Sequence, residues 1–167
     1  RYLELMALGD PPDNMGLDIC LRRLWHAGWR QKWPADEVDV IERGFDALLR
    51  AGIDRIEVHE WPVGHRLSSA FRNLLTMIVT AGGGIERALA VWDRAADPNA
   101  VLQMAGLREW VQVETGRTYL QSAYLDTHPV AADTIGAFLV RPEVDQRLEA
   151  AFFELDDPGL QNIVSDA

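Results

Sequence analysis

Apolar residues recur along most of this chain at three- and four-residue spacings, the period of an α-helix, and no other feature constrains the fold as strongly. The first such stretch carries its apolar side chains on one helical face, at Leu17, Cys20, Leu21, Leu24 and Trp25. We expect this helix to begin after Asp13 or Asn14, whose side chains are good N-caps, and to end near Gly28.

Proline marks the start of several further helices. It lacks the backbone N–H that would be unbonded in the first helical turn, so it is favoured there. Pro34 opens a helix that ends at Gly52, and Pro98, Pro129 and Pro142 open three more. The spacings between these prolines follow no fixed period, so they indicate ordinary helix starts rather than an internal repeat.

For the middle of the chain, the sequence predicts different structures in successive segments. The stretch from Arg66 to Ala81 is apolar nearly all round, which predicts a central, buried helix. Before it, the segment Ile53–Gly64 reads as a long connection in which a short strand and a helical turn are equally compatible with the pattern. After it, helical spacing runs from Val101 to about Gly116, and a weaker helix is predicted around Tyr119–Tyr124.

These segments predict an all-α protein of about eight short-to-medium helices joined by short connections. Residues 1–167 are expected to form a single helical domain, because no linker or low-complexity tract divides them. Two architectures fit the pattern, a globular helical bundle and an irregular, HEAT-like stack of helical hairpins.

Charge and composition restrict the partners. The net charge of −10 repels nucleic-acid phosphates and anionic lipid head groups, so we expect neither nucleic acid nor membrane as a partner. The longest strongly apolar run, Leu74 to Gly84, is about half of the ~20 residues that span a bilayer. The single cysteine, Cys20, excludes an internal disulfide and suits a reducing compartment, which predicts a soluble, cytoplasmic protein.

Six tryptophans are an unusual number for 167 residues, and three of them stand four residues apart. A continuous helix would place three tryptophans, Trp25, Trp29 and Trp33, on one face beside Arg30. Such a face could bind the side chains of a partner. The sequence favours packing at a helix junction, because Gly28 and the Trp33–Pro34 step interrupt such a helix. These four residues are nevertheless the candidate binding site.

The same segment is locally basic, since Arg22, Arg23, Arg30 and Lys32 are interleaved with the tryptophans. In so acidic a chain we expect these bases to pair with the acidic start of the next helix, at Asp36 and Glu37. A basic and aromatic surface that recognises a partner is the alternative.

Motifs for metals, cofactors and catalysis are missing from the sequence. His59 and His65 stand six apart with Pro62 between them, whereas a helical zinc site needs two histidines four apart. The triple glycine that begins at Gly82 follows a helix and lacks the Lys and hydroxyl residue of a phosphate loop. We therefore expect no metal, no cofactor and no catalytic residues, which favours a protein that is not an enzyme.

Two classes of function remain open at this point. The first is a non-catalytic module that binds another protein or associates with itself, favoured by the helical pattern and the surplus of aromatic residues. The second is a small helical enzyme or ligand-binding protein whose site is assembled from residues distant in sequence, a kind of site that a single sequence does not display.

Overall fold

A computed structural model describes residues 17–61, 64–95 and 97–167 of the chain. The expected N-caps Asp13 and Asn14 therefore lie outside the described residues. The helices are α1 (Leu17–Ala27), α2 (Trp29–Lys32), α3 (Ala35–Asp54), α4 (Ala70–Thr80), α5 (Ile85–Asp93), α6 (Pro98–Arg108), α7 (Pro129–Leu139), α8 (Pro142–Glu154) and α9 (Pro158–Ser165). Four short strands, β1 (Val58–Trp61), β2 (Gly64–Leu67), β3 (Val111–Glu114) and β4 (Arg117–Leu120), and a 3₁₀ turn (Ala123–Leu125) lie between them. The prediction of a helical fold is confirmed.

The helix starts follow from local chemistry. Proline occupies the first turn of α6, α7, α8 and α9. Two of these helices also have an aspartate cap: Asp97 accepts a hydrogen bond from the backbone N–H of Asn99 at 2.7 Å, and Asp157 accepts from those of Gly159 and Leu160. These caps satisfy N–H groups that have no acceptor within the helix.

The uncertain connection before the central helix contains a strand. In the hairpin β1–β2, Val58 pairs with Leu67 and His59 with Arg66. The predicted helix Arg66–Ala81 therefore begins later, at Ala70, whose backbone N–H donates to the Ser68 side chain at 3.2 Å. The helical period of its apolar residues did not reveal that its first residues belong to a strand.

The second hairpin, β3–β4, corrects two predictions. Helical structure ends at Arg108 instead of continuing to about Gly116, and the residues around Tyr119 form a strand instead of a weak helix. Thr115 and Gly116 both have positive φ, 47° and 82°, which is the backbone of the tight turn that joins antiparallel strands. This turn, together with β-branched residues in both strands, overrides a spacing that also fits a helix.

The buried residues form one connected cluster to which every helix of the described chain contributes. Helix α6 is buried on more of its surface than α4, the predicted central helix, and packs against α3, α7, α8, α9 and β2. Helices distant in sequence touch, as α3 and α5 do, whereas units of a solenoid contact only their neighbours. These contacts fit the globular bundle better than the HEAT-like stack. Among the described helices, none is long and apolar enough to cross a membrane.

Helix α7 lies directly on strand β4, and this close approach depends on Gly136. A Cβ atom at that position would lie 2.5 Å from the Cα of Tyr119 and 2.7 Å from its backbone nitrogen. Such distances are well inside van der Waals contact, and the atoms that they involve are backbone atoms that cannot rotate away. The contact between α7 and β4 therefore requires glycine.

We expect Gly136→Ala to destabilise the protein by about 2–3 kcal/mol, because helix and strand must separate to admit the methyl group. The matched control is Gly52→Ala, also within a helix, where the nearest atom to the added Cβ is a terminal methyl of the half-buried Leu74. That side chain can rotate, and alanine favours the helix by about 1 kcal/mol, so the control should change stability little. Urea denaturation of both variants measures this difference, and equal destabilisation would contradict the account.

Candidate functional site

Helix α1 leaves the side chain of Trp25 largely outside the core. The helix packs on α4, and its residues Cys20 and Leu21 are buried. Trp25 is 53% exposed and stands edge-on to His128, with 6.5 Å between ring centroids. Its inner edge covers Gly82, where a Cβ atom would lie 3.1 Å from Trp25 Cε3. The indole therefore rests on the protein with one side and presents the other to solvent.

Trp29 faces the opposite way. The chain turns at Gly28, which has φ of 63° and separates α1 from the four-residue helix α2. Trp29 is 1% exposed, and its indole Nε1 donates to the carbonyl oxygen of Ala81 at 2.8 Å. Its ring meets Phe45 in an edge-to-face contact at 5.8 Å. Trp29 is therefore a core residue that anchors α2 to the end of α4.

Arg30 reinforces the same junction. Its guanidinium carbon lies 4.7 Å from the centroid of the Trp29 ring, and the group donates to the carbonyl oxygen of Gly82 and to the carboxylate of Glu42. Glu42 is only 7% exposed and lies between two arginines, since Arg87 Nε is 3.5 Å from its other oxygen. A buried carboxylate needs such partners to offset the loss of hydration.

Arg87 extends this ion network from α3 to α5. It makes a two-pronged contact to Asp46 at 2.9 and 2.7 Å, and this hydrogen bonding raises the pKa of the Arg87 guanidinium above its ordinary value. Arg30 therefore pairs with Glu42, and not with Asp36 or Glu37 at the start of α3 as expected from the sequence. The network joins α2, α3 and α5 around the glycine turn at residues 82–84.

The four predicted site residues thus divide into two pairs. Trp29 and Arg30 bind the core and the glycine turn, whereas Trp25 and Trp33 retain exposed indoles, Trp33 at 36%. Around them lie exposed basic side chains. We define the α1–α2 surface as the exposed side chains of Arg22, Trp25, His26, Lys32 and Trp33. Its role as a binding site stays a prediction.

The two histidines considered as a metal pair do not converge. His59 lies opposite Arg66 and His65 opposite Glu60, so neighbouring positions of the hairpin place the two imidazoles on opposite faces. The His65 ring packs at the start of α9, 3.2 Å from where a Cβ of Gly159 would stand. In the part of the chain that the structure describes, no group of three or more His, Cys, Asp or Glu side chains could hold a metal ion.

A cleft of ≈500 Å³ lies where the end of α5 and the start of α6 meet α8. It is bordered by Asp93, Arg94, Arg147 and Glu154, with small and apolar side chains between them. The prediction from the sequence missed this site. One signal was present, because Arg147, Ala150, Ala151 and Glu154 follow the 0, 3, 4, 7 spacing of a single helix face. Two alanines between opposite charges, however, did not distinguish this face from an ordinary solvent-exposed one.

No protein-family model, curated protein or solved structure matches this chain in comparisons of its sequence and fold.

We expect Trp29→Phe to lower the free energy of unfolding by about 1–3 kcal/mol, since it leaves the buried Ala81 carbonyl without its indole donor. The matched control is Trp25→Phe, the same substitution four residues earlier at a half-exposed position, which should cost less than about 0.5 kcal/mol. Chemical denaturation followed by circular dichroism measures both. A larger loss for Trp25→Phe than for Trp29→Phe would contradict the assignment of the two indoles.

Proposed function

We propose that this chain is a non-catalytic helical module of the cytoplasm that binds another protein through the α1–α2 surface. The observation that carries the proposal is the exposure of two tryptophans on a segment of nine residues, Trp25 at 53% and Trp33 at 36%. Tryptophan is the residue most enriched at the energetic centres of protein interfaces, because a large rigid ring loses little conformational entropy when it is covered.

The structure beneath these indoles supports the proposal. Trp29 and Arg30 bond the segment to the carbonyl oxygens of Ala81 and Gly82. The backbone that carries Trp25 and Trp33 is therefore held at its centre before a partner arrives. A surface ordered in advance loses less entropy on binding, so more of the contact energy appears as affinity.

Charge favours an acidic partner. Arg22, His26 and Lys32 are exposed on α1 and α2, and Arg22 makes no ion pair with any residue in the described ranges. On a chain of net charge −10 this basic region stands out, and it would attract a segment in which carboxylates flank an apolar side chain. A second copy of this acidic chain satisfies the same description, so self-association is tested alongside a different partner.

The test begins with the isolation of bound proteins from the native host, followed by affinity measurements with the purified partner. We expect Trp25→Ala to weaken binding at least about tenfold without unfolding the domain. Phe153→Ala is the matched control, because Phe153 is 77% exposed but lies on α8. It should leave the affinity within about twofold.

Two further measurements complete this experiment. Affinity should fall as salt is added, since the basic side chains act at exposed positions. Sedimentation of the chain alone shows whether a second copy is the partner, in which case Trp25→Ala should shift the protein towards monomer. Unchanged affinity in Trp25→Ala, for a partner or for a dimer, would refute the proposed surface.

A second candidate function is a ligand-binding protein whose site is assembled from residues distant in sequence. The observation that favours it is the cleft between α5, α6 and α8, which joins residues 93–95 and 98–101 to residues 147–155. Its volume of ≈500 Å³ falls within the range of small-molecule sites.

A further inference from the structure

In the cleft between α5, α6 and α8, hydrogen bonds to the backbone hold the side chain of Arg147. Its guanidinium reaches from α8 to the end of α5, where it donates to the carbonyl oxygens of Asp93 at 3.2 Å and Ala95 at 2.7 Å. Its side chain is 25% exposed. A guanidinium carries five N–H donors, and these two bonds leave the others for a ligand or for water. The group is thus fixed in place and still able to bind.

The lining holds two arginines and two carboxylates, and a third arginine outside the cleft leaves an excess of one positive charge. Asp93 is engaged outside the cleft by Arg141, whose Nη2 lies 2.9 Å from its carboxylate, while Arg147 is 3.8 Å from the same oxygen. Arg94 has no ion-pair partner within the described ranges. With Asp93 neutralised by Arg141, Arg94 and Arg147 face the single carboxylate of Glu154. The cleft therefore favours an anion, although the protein as a whole is acidic.

The rest of the lining is apolar. Pro98 and Val101 come from α6, and Ala150, Ala151 and Leu155 come from α8 or the residue that follows it. The two alanines leave room above the helix because their side chains end at Cβ. Apolar walls beside one fixed cationic group are suited to a ligand that has a hydrocarbon body and a single anionic head.

We infer that this cleft binds a small amphiphilic carboxylate, with its head group on Arg147 and Arg94 and its hydrocarbon part against the alanines of α8. The inference rests on the second candidate function and is independent of the α1–α2 surface. Arg147 supplies directed N–H donors, which a carboxylate can accept in pairs. Arg94, at the rim of the cleft, attracts the carboxylate by its positive charge and does not fix the geometry of binding.

The charge of the head group is tested with three probes that share one hydrocarbon chain: octanoate, 1-octanol and octylammonium. Binding to the full chain is followed by calorimetry and by amide chemical shifts. We expect octanoate to bind at least about tenfold more tightly than octylammonium, with the largest shifts at residues 93–101 and 147–155. Tighter binding of octanol or octylammonium at those residues would keep the cleft as a site and overturn the carboxylate assignment.

Three variants test whether octanoate binds in this cleft. Glu154→Gln removes the carboxylate of the lining that has no ion-pair partner among the described residues and should tighten octanoate binding about threefold, whereas Arg94→Gln should weaken it about threefold. Glu149→Gln is the matched control for the first, since it makes the same change on α8 at an exposed residue that does not line the cleft. It should have no effect. Equal responses to Glu154→Gln and Glu149→Gln would mean that overall charge governs binding, and would overturn the site.

Ala150→Phe places a ring in the cleft without altering its charges. Because Ala150 is exposed, the variant should fold, and its thermal unfolding is compared with that of the parent chain. We expect octanoate binding to fall at least about tenfold. If binding persists in a folded Ala150→Phe, the inferred site is wrong. If none of the probes binds the parent chain, both the inference and the second candidate function fail, while the α1–α2 surface is unaffected.

Discussion

The hydrogen bond from the Trp29 indole to the Ala81 carbonyl fixes the relation between the first helices and the rest of the fold. It joins residues 52 positions apart in the chain and is buried, so breaking it would leave a polar carbonyl without a partner in an apolar environment. Arg30 adds bonds to Gly82 and to the buried Glu42. Through Glu42 and Arg87 the same junction also ties α3 to α5.

This junction gives the proposed binding surface its physical basis. Exposed tryptophans on a loosely attached helix would collapse onto the nearest apolar surface or lose entropy when a partner orders them. Here Trp29 points inward and secures the backbone, which leaves Trp25 and Trp33 directed outward on either side. Tryptophan therefore anchors the segment at position 29 and is exposed at positions 25 and 33, and the turn at Gly28 separates Trp25 from Trp29. The cleft that contains Arg147 lies on other elements, so the two proposed sites can be tested independently.

The sequence predicted the helical class and most helix starts, because apolar periodicity and proline in the first helical turn act locally. It did not predict the strand Arg117–Leu120, since a four-residue strand offers too short a pattern to exclude a helix and its partner lies across a turn. It placed Arg30 against Asp36 and Glu37, because charge order along a chain does not show that Glu42 is the carboxylate facing the junction. It did not distinguish Trp25 from Trp29, because the turn at Gly28 is what leaves Trp25 exposed and Trp29 buried.

Hydrogen–deuterium exchange of the chain with and without its captured partner maps the surface that the partner covers. We expect the partner to slow exchange of the backbone amides around residues 22–33, while amides at residues 93–101 and 147–155 exchange at unchanged rates. Protection confined to the latter residues, or to a face that contains neither site, would contradict the claim that the α1–α2 surface is where this protein binds.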